Sequence, residues 1–442
     1  IAIQTIAGGG GYIGSQLSND SSNLIGSVGA GKYVRNSEGK VIPNVENDVM
    51  IAGNIDANNT ANIQTTNEIS PGLVAQSIGG GGGYAGGMNA DIITLGTNGP
   101  VITKAGNLTI NNSGNIRTTG TGSGALLTQS IGGGGGFLSS QTMNEMFMGS
   151  LYTNESTSGN IELTNSGSLS TEGTGSIGLL AQSIGGGGGV NAYSEVEVSE
   201  GEASQDRIFL SGSDAKNSGS GDISVTNRGA VISTKGTGAP AMLVQSVGGG
   251  GGWAALANAS ASNMRLGSDE GSNGYGGDVE FMNTADIATL GIYSQAIRVQ
   301  SVGGGGGAIS ARGNEIRFGS KAMAGNSSGG DINFTNSGSI STEGNGSTGI
   351  NVMSLGGGGG TIFGIATDTT TLGTNSPDLT INASGGDVNV KSTGKFIATR
   401  GEAASAILVS SIGGGGGFLA EVQGNLLGGA NTQGDTTGGN IT

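Results

Sequence analysis

The sequence predicts an all-β fold, a right-handed parallel β-solenoid built from repeats of about 53 residues. Three observations predict it: glycine runs at near-regular intervals, short phrases of period-two alternation between them, and a nearly constant distance from each phrase to the next run. No phrase carries a helical period of apolar residues. The runs occupy residues 8–11, 79–83, 132–136, 185–189, 248–252, 303–307, 356–360 and 413–417.

Each repeat divides into a frame of fixed length and an arm of variable length. The frame begins at an anchor glycine and reaches the next glycine run after 26 or 27 residues. The arm follows the run. From the second run onward, the distance from the end of a run to the next anchor varies from 22 to 32 residues, and after the first run it is 42 residues. Fixed length indicates packing against neighbours, whereas variable length indicates a solvent-facing segment that tolerates insertions. The anchors are Gly53, Gly106, Gly159, Gly221, Gly277, Gly330 and Gly386.

The frame reads as three short strands. In the frame from Gly330, Ile332 and Phe334 alternate with polar residues, and the following Asn-Ser-Gly is a turn signal. A second break precedes an apolar strand that ends at Leu355. One frame holds too few large side chains to bury its own apolar face, so we expect identical frames to stack and cover one another.

The repeat length sets the expected dimensions of the stack. Parallel coils lie about 4.8 Å apart, and parallel crossovers are right-handed in nearly all sheets. We expect a 53-residue repeat to hold two coils, which gives an array roughly 70–80 Å long. A β-prism or a wide sandwich is the alternative. The chain is one continuous array, with a partial unit 1–11, units 12–83, 84–136, 137–189, 190–252, 253–307, 308–360 and 361–417, and a partial unit 418–442.

In-register stacking also predicts ladders of identical side chains. One slot before the glycine run is occupied by Gln76, Gln129, Gln182, Gln245 and Gln300, and another, in the frame, by Asn112, Asn165, Asn227, Asn283 and Asn336. Stacked amides hydrogen-bond along the axis of a cross-β stack. For glutamine the ladder is favoured; for asparagine a left-handed turn conformation is an equal alternative.

The glycine runs predict a layer of closely packed backbone. Five ordered glycines cost about 2.5–5 kcal/mol relative to alanine, which indicates a compensating contact. We expect a polyproline-II-like layer in which only glycine fits, as at the axis of collagen, and Gly134→Val should disrupt it. A flexible linker is the alternative. The layer comprises Gly79, Gly81, Gly83, Gly132, Gly134, Gly136, Gly185, Gly187, Gly189, Gly248, Gly250, Gly303, Gly305, Gly356, Gly358, Gly413 and Gly415.

Composition excludes several classes of function. Lys and Arg are sparse and the net charge is −15, which argues against nucleic acid as a partner. Cysteine and histidine are absent, which excludes disulfides, Cys/His zinc sites and Ser-His-Asp catalysis. We therefore predict no enzyme activity, no cofactor and no metal.

No apolar stretch approaches the length of a membrane span and no signal peptide opens the chain. Both ends fall within a repeat, so we expect a piece of a longer protein or end-to-end joining.

Several phrases resemble the passenger region of large bacterial autotransporter adhesins. They are VTNRG at 225–229, SISTEGNGS at 339–347 and GLLAQSIGGGGG at 178–189, and the resemblance covers nearly the whole array. It implies a secreted, surface-displayed parallel β-solenoid at the cell surface of a diderm bacterium. Such proteins are anchored by a C-terminal outer-membrane barrel, which this sequence lacks, so membrane contact is expected only through that missing anchor. The family has no uniform catalytic motif, and no functional residue carries over.

The arms are the predicted working surface. Tyr84, Phe137, Trp253 and Phe418 open four of them and are candidate surface contacts that stack on sugar rings; covering the edge of the glycine layer is the favoured alternative. Most arms later reach a bulky residue followed by glycine, as at Leu95-Gly96, and this pattern predicts a hairpin that leaves and rejoins the stack.

Acidic residues give two weaker candidates for a site. The arm from Val190 to Gly219 carries Glu195, Glu197, Glu200, Glu202 and Asp206, which fit either a cation site or, preferably, a solvated face. The aspartates after the anchors are interpreted as turn residues, because asparagine replaces them in other units; they are Asp222, Asp278, Asp331 and Asp387. No unit clearly adds the charged residues that a polysaccharide-cleaving site needs.

These observations favour an extracellular structural or adhesive surface protein, a rigid solenoid that presents its arms to a surface, a glycan or sister molecules. A self-assembling filament or sheath that stacks end to end is the alternative. A polysaccharide-degrading β-helix enzyme is the remote alternative.

Overall fold

The structure, a computed structural model, describes the chain except for residues 14–22, 26–32, 36–40, 44–47, 90–91, 97, 144, 150, 197–206, 211–216, 268–272, 320–324, 374–380, 423–424 and 428–434. The described residues form strands, turns and bends, without a helix. Among them there is accordingly no helix that is long and apolar enough to cross a membrane.

Each frame contributes one strand to each of three parallel sheets. The first frame sheet comprises Ile55–Asn59, Leu108–Asn112, Ile161–Asn165, Ile223–Asn227, Val279–Asn283, Ile332–Asn336 and Val388–Ser392. The second frame sheet comprises Ile63–Thr65, Ile116–Thr118, Leu169–Thr171, Val231–Thr234, Asp286–Thr289, Ile340–Thr342 and Ile397–Thr399. The serine sheet, which leads into the glycine runs, comprises Ala2–Ile6, Leu73–Ile78, Leu126–Ile131, Leu179–Ile184, Met242–Val247, Ile297–Val302, Ile350–Leu355 and Ile407–Ile412.

The arms form two further parallel sheets and one small antiparallel pair. The arm sheet comprises Gly10–Ile13, Asn23–Ile25, Gly82–Asn89, Ile92–Leu95, Gly135–Met143, Glu145–Met148, Gly188–Val196, Arg207–Leu210, Gly251–Leu266, Gly306–Phe318, Gly359–Leu372, Gly416–Val422 and Asn425–Leu427. The return sheet, which leads back to the anchors, comprises Asp48–Ile51, Asn98–Lys104, Leu151–Thr157, Asn217–Gly219, Asn273–Tyr275, Gly325–Ser328, Ile381–Ser384 and Thr436–Thr437. The antiparallel pair is Tyr33–Arg35 with Val41–Pro43.

One repeat makes one coil of the solenoid. Leu126 is paired in register with Leu179, one repeat further along the chain, and Leu73 with Leu126. The expectation of two coils per repeat is therefore wrong, because the arm is itself part of the coil and lengthens its circumference. The eight strands of the serine sheet span about 35 Å at the usual interstrand spacing, half the expected height. Coils 1 to 7 are numbered here by their anchors, from Gly53 to Gly386.

The main hydrophobic core lies between the two frame sheets and the serine sheet. In coil 2 it contains Leu108 and Ile110 from the first frame sheet, Ile116 from the second and Leu126 from the serine sheet, all buried. Alternation explains this placement, because every second side chain of a frame strand points inward. The same slots are apolar in the coils above and below, so each coil covers its neighbour.

Each arm encloses a second core. The outgoing strand contributes Leu138 and the returning strand contributes Met146 and Met148, all buried in one apolar cluster that continues through neighbouring coils. The arm strands pair in register from coil to coil, for example Ile93 with Met146. The arms are thus layers of the stack, and they form a hydrophobic core of their own.

The fold prediction is confirmed as an all-β parallel solenoid with variable arms. The β-prism and sandwich alternatives are excluded, because strands of successive coils pair in parallel in all five large sheets of the described chain. The right hand of the coil stays a prediction from the general rule for parallel crossovers.

Candidate functional site: the glycine layer and its ladders

The first glycine of each run packs on the end of a return-sheet strand. A Cβ built on Gly79 would lie 2.7 Å from the carbonyl carbon of Lys104, and one on Gly132 would lie 2.6 Å from that of Thr157. Real Cβ atoms do not approach backbone so closely, so a side chain here would separate the serine sheet from the return sheet. This contact explains the start of the run immediately after the serine sheet.

The second, fourth and fifth glycines pack on the runs of neighbouring coils. A Cβ on Gly80 would lie 2.6 Å from the carbonyl carbon of Gly133. A Cβ on Gly82 would lie 2.0 Å from the oxygen of Gly135, and a Cβ on Gly136 would lie 2.0 Å from the oxygen of Gly83. Glycine is needed here because the backbone of one coil lies directly on the backbone of the next.

The third glycine packs on the run of the preceding coil and also meets the returning arm. A Cβ on Gly134 would lie 3.0 Å from the Cα of Gly96, and a Cβ on Gly187 would lie 2.8 Å from the Cα of Gly149. These partners are the glycines that follow a bulky residue in each arm. The pattern of a bulky residue followed by glycine therefore marks where the arm rejoins the stack, as the sequence indicated. The expected hairpin is wrong, because the outgoing and returning parts of the described arms pair in parallel with those of neighbouring coils.

The glycine layer differs from polyproline II in its backbone conformation. Gly134, Gly135 and Gly136 have φ of 89°, 124° and 140°, and the corresponding glycines of other runs are similar. Polyproline II has φ near −75°, and positive values of this size are readily accessible only to glycine. The expected close packing is present, but the chain bends at the first three glycines and starts a strand with the last two.

Backbone hydrogen bonds hold the layer in both directions. The Gly133 N–H donates to the oxygen of Gly185 in coil 3 at 2.9 Å, and the Gly135 N–H donates to the oxygen of Gly81 in coil 1 at 3.0 Å. The flexible-linker interpretation is therefore wrong for these runs, because each is bonded to the run on either side.

The five predicted glutamines form a continuous ladder of buried amides. Each Nε2 donates to the Oε1 of the next coil at 2.6–2.8 Å, beginning at Gln4 and continuing through Gln76, Gln129, Gln182 and Gln245 to Gln300. The ladder ends in coil 6, where Met353 occupies the glutamine position and its Sδ lies 3.7 Å from Gln300 Nε2.

The serine after the glutamine forms the contact that sequence reasoning missed. The Ser130 hydroxyl donates to the oxygen of the anchor Gly106 at 2.9 Å and accepts from the N–H of the next anchor, Gly159, at 2.8 Å. The same bridge recurs at Ser77, Ser183, Ser246, Ser301, Ser354 and Ser411. The sequence contained a signal for this bridge. Serine occupies the position after the glutamine in all seven coils, whereas the glutamine itself is replaced in coils 6 and 7.

The frame asparagines form a second buried ladder. Asn112 Nδ2 donates to Asn165 Oδ1 at 2.7 Å and also to the oxygen of Gly114 at 2.8 Å, which closes the turn. The ladder runs from Asn59 to Asn336 and ends at Ser392. None of these asparagines has a positive φ, so the left-handed alternative is wrong.

The aspartates after the anchors accept hydrogen bonds from the next coil. Asp222 Oδ1 accepts from the N–H of Asp278 at 2.9 Å, and Asp278 Oδ1 accepts from the N–H of Asp331 at 2.8 Å. Asn107 does the same for Asn160. Aspartate and asparagine are interchangeable here because only a side-chain oxygen is required.

The aromatic residues that open the arms are not surface contacts. Tyr84, Phe137 and Trp253 are fully buried between the arm and the serine sheet, so that prediction is wrong for them. Tyr84 and Phe137 stack with ring centroids 5.1 Å apart. The Tyr84 hydroxyl donates to the oxygen of Ile69. Phe418, in coil 7, is half-buried.

The acidic arm lies largely outside the described residues. Glu195 falls in the strand Gly188–Val196, and the other four carboxylates of that arm, at 197, 200, 202 and 206, are not described. Within the described chain, no group of three or more acidic residues is arranged to hold a metal ion.

Comparisons with known proteins identify no relative: no family model matches the chain, no curated protein matches it, and no solved structure matches it.

Proposed function

We propose that this chain is part of an extracellular adhesive surface protein, a rigid solenoid whose outer face binds polysaccharide. The resemblance to autotransporter passengers suggests the location. The proposal rests mainly on one observation, the contrast between inward and outward positions of the same strand. In the first frame sheet, the inward position that begins each strand is aliphatic in every coil, as at Ile161, Ile223 and Val279, whereas the outward neighbours are Glu162, Ser224 and Glu280.

The outward positions line a shallow groove that crosses successive coils. The outward residues form two polar rows. Within each row, residues of adjacent coils lie about 4.8 Å apart, which is the spacing of parallel strands. The outer groove is defined by Asn107, Thr109, Asn160, Glu162, Asp222, Ser224, Asp278, Glu280, Asp331 and Asn333. Amide, hydroxyl and carboxylate groups are suitable hydrogen-bond partners for sugar hydroxyls, and an extended chain of sugars fits a long open groove better than a compact ligand does.

Binding to immobilised polysaccharides tests the proposal. We expect the chain to bind a subset of neutral polysaccharides, and the double variant Glu280→Ala, Asn333→Ala to bind at least tenfold more weakly. Glu402→Ala is the matched control, because it removes an exposed carboxylate elsewhere on the stack. Equal binding by the double variant and the wild type, or no polysaccharide binding, would contradict the proposal.

Two further readouts separate the alternatives. Particles that lengthen with protein concentration in electron micrographs would favour a filament. Release of reducing ends from a bound polysaccharide would favour an enzyme.

A further inference from the structure

One buried slot departs from the repeat in the middle of the stack. The slot holds Leu127, Leu180 and Leu243 in coils 2 to 4, but Arg298 in coil 5 and Asn351 in coil 6. Both replacements are fully buried. The space between the serine sheet and the arm is therefore apolar in the early coils and polar in coils 5 and 6. This polar compartment comprises Trp253, Gln295, Arg298, Thr348, Asn351 and Phe363.

Two aromatic rings hold the Arg298 guanidinium. Its Cζ lies 5.5 Å from the ring centroid of Trp253 and 4.6 Å from that of Phe363. Ala308 occupies the arm slot that Trp253 holds one coil earlier, and its small side chain leaves the room that the guanidinium needs. Cation–π contacts stabilise a buried guanidinium, but the rings offer no acceptor oxygen to its N–H groups.

The compartment contains several polar atoms without a hydrogen-bond partner in the described chain. They include all three guanidinium nitrogens of Arg298 and the indole Nε1 of Trp253. The Thr348 hydroxyl and the amide oxygens of Gln295 and Asn351 are also without one. An unsatisfied buried polar atom is destabilising, and an unpaired buried charge is more so. So many unsatisfied polar atoms among the buried residues around Arg298 indicate an occupant.

Among the described residues, Arg298 also has no carboxylate partner. The salt bridges of the described chain join other residues and lie at its surface. Burial lowers the pKa of Arg298 to about 9, which still leaves the group charged at neutral pH. An occupant with one negative charge would neutralise it, and one with acceptor capacity would satisfy both the guanidinium and the indole N–H groups.

We propose that the polar compartment binds a small monovalent anion of the halide class, chloride under physiological conditions, between the Arg298 guanidinium and the Trp253 indole N–H. The surrounding side chains are fully buried, so a compact ion suits this position better than an extended ligand does. Tyr293, which is half-buried, lies near Phe363 beside the turn at Gly346.

Trp253 is the only tryptophan of the chain, so its fluorescence reports on the compartment directly. Bromide quenches indole fluorescence on contact, and a fully buried indole is otherwise shielded from ions in solution. We expect saturable quenching by bromide in the wild type, reversed by chloride at constant ionic strength. Quenching that is weak, linear in bromide and insensitive to chloride would overturn the proposal and indicate that water alone fills the compartment.

The variant Arg298→Leu introduces the leucine of coils 2 to 4, and we expect its apparent affinity for bromide to be at least tenfold weaker than that of the wild type. Arg117→Leu, which removes an exposed arginine, should retain the wild-type affinity. Saturable quenching with the wild-type affinity in Arg298→Leu would contradict the assignment.

A second measurement does not depend on the variant folding. Crystals of the wild type grown in bromide should show an anomalous peak within hydrogen-bond distance of the guanidinium, and ordered water without such a peak would contradict the proposal.

Discussion

The glycine layer runs through all seven coils and the outer groove crosses coils 2 to 6, and the two differ in how much variation they contain. The run is five glycines long in every one of these coils, whereas the outward row changes from Thr109 to Glu162 to Ser224. A side chain added at a glycine of the layer would meet the backbone of a neighbouring coil, so a substitution would disturb two coils at once. An outward side chain mostly contacts solvent. In this molecule, uniformity between repeats therefore measures contact between coils.

Gly135→Ala should have the largest effect on stability. The new Cβ would lie 1.9 Å from the oxygen of Gly188, and the residue has φ of 124°. A clash with rigid backbone and a strained conformation act together, so we expect a loss of more than about 3 kcal/mol or failure to fold. Chemical denaturation followed by circular dichroism measures it.

Gly219→Ala is the matched control for this change. A Cβ at Gly219 meets nothing within 4 Å, so we expect a change within about 0.5 kcal/mol. Equal losses for the two variants would show that glycine content in general, rather than contact between coils, accounts for the runs.

Ser130→Ala should have an intermediate effect. It leaves the Gly106 oxygen and the Gly159 N–H without their bridging hydroxyl, and a buried group without its partner costs about 1–3 kcal/mol. The control Ser170→Ala removes an outward hydroxyl from the second frame sheet and should be nearly neutral. The difference in melting temperature between the two variants measures the bridge.

Gln182→Met should have a smaller effect that depends on position in the ladder. It removes two amide–amide bonds of 2.7–2.8 Å, to Gln129 and Gln245. Gln300→Met removes one such bond, to Gln245, and a longer 3.3 Å contact to the oxygen of Gly307. Methionine already occupies this slot at Met353. We expect Gln182→Met to be the more destabilising by about 1 kcal/mol, and the same urea unfolding experiment on both variants checks it. Equal effects would mean that the amides do not act as a ladder.

The stacking direction and the glutamine ladder were predictable because both follow from identical residues at a fixed interval. The size of the coil was not, because the arm was interpreted as an excursion from the stack, although Leu95-Gly96 marks its return. The positive φ of the glycines leaves no trace in the sequence beyond glycine itself. Arg298 was overlooked because it is a single change in an otherwise apolar phrase, and its meaning depends on the fully buried slot that only the structure shows.

The central claim is that one repeat makes one coil. Disulfide formation in the double variant Glu280→Cys, Asn333→Cys tests it most directly. The chain has no cysteine, so the introduced pair reports without interference. These exposed residues are 53 positions apart and directly paired on adjacent strands, which brings their Cα atoms within the 4.4–6.8 Å range of a disulfide. One coil per repeat predicts rapid bridging under mild oxidation, and no bridging by the control pair Ser224→Cys, Asn333→Cys, two coils apart. Failure of the first pair to bridge in the folded protein would contradict the account, because two coils per repeat would separate those residues by about 9.6 Å.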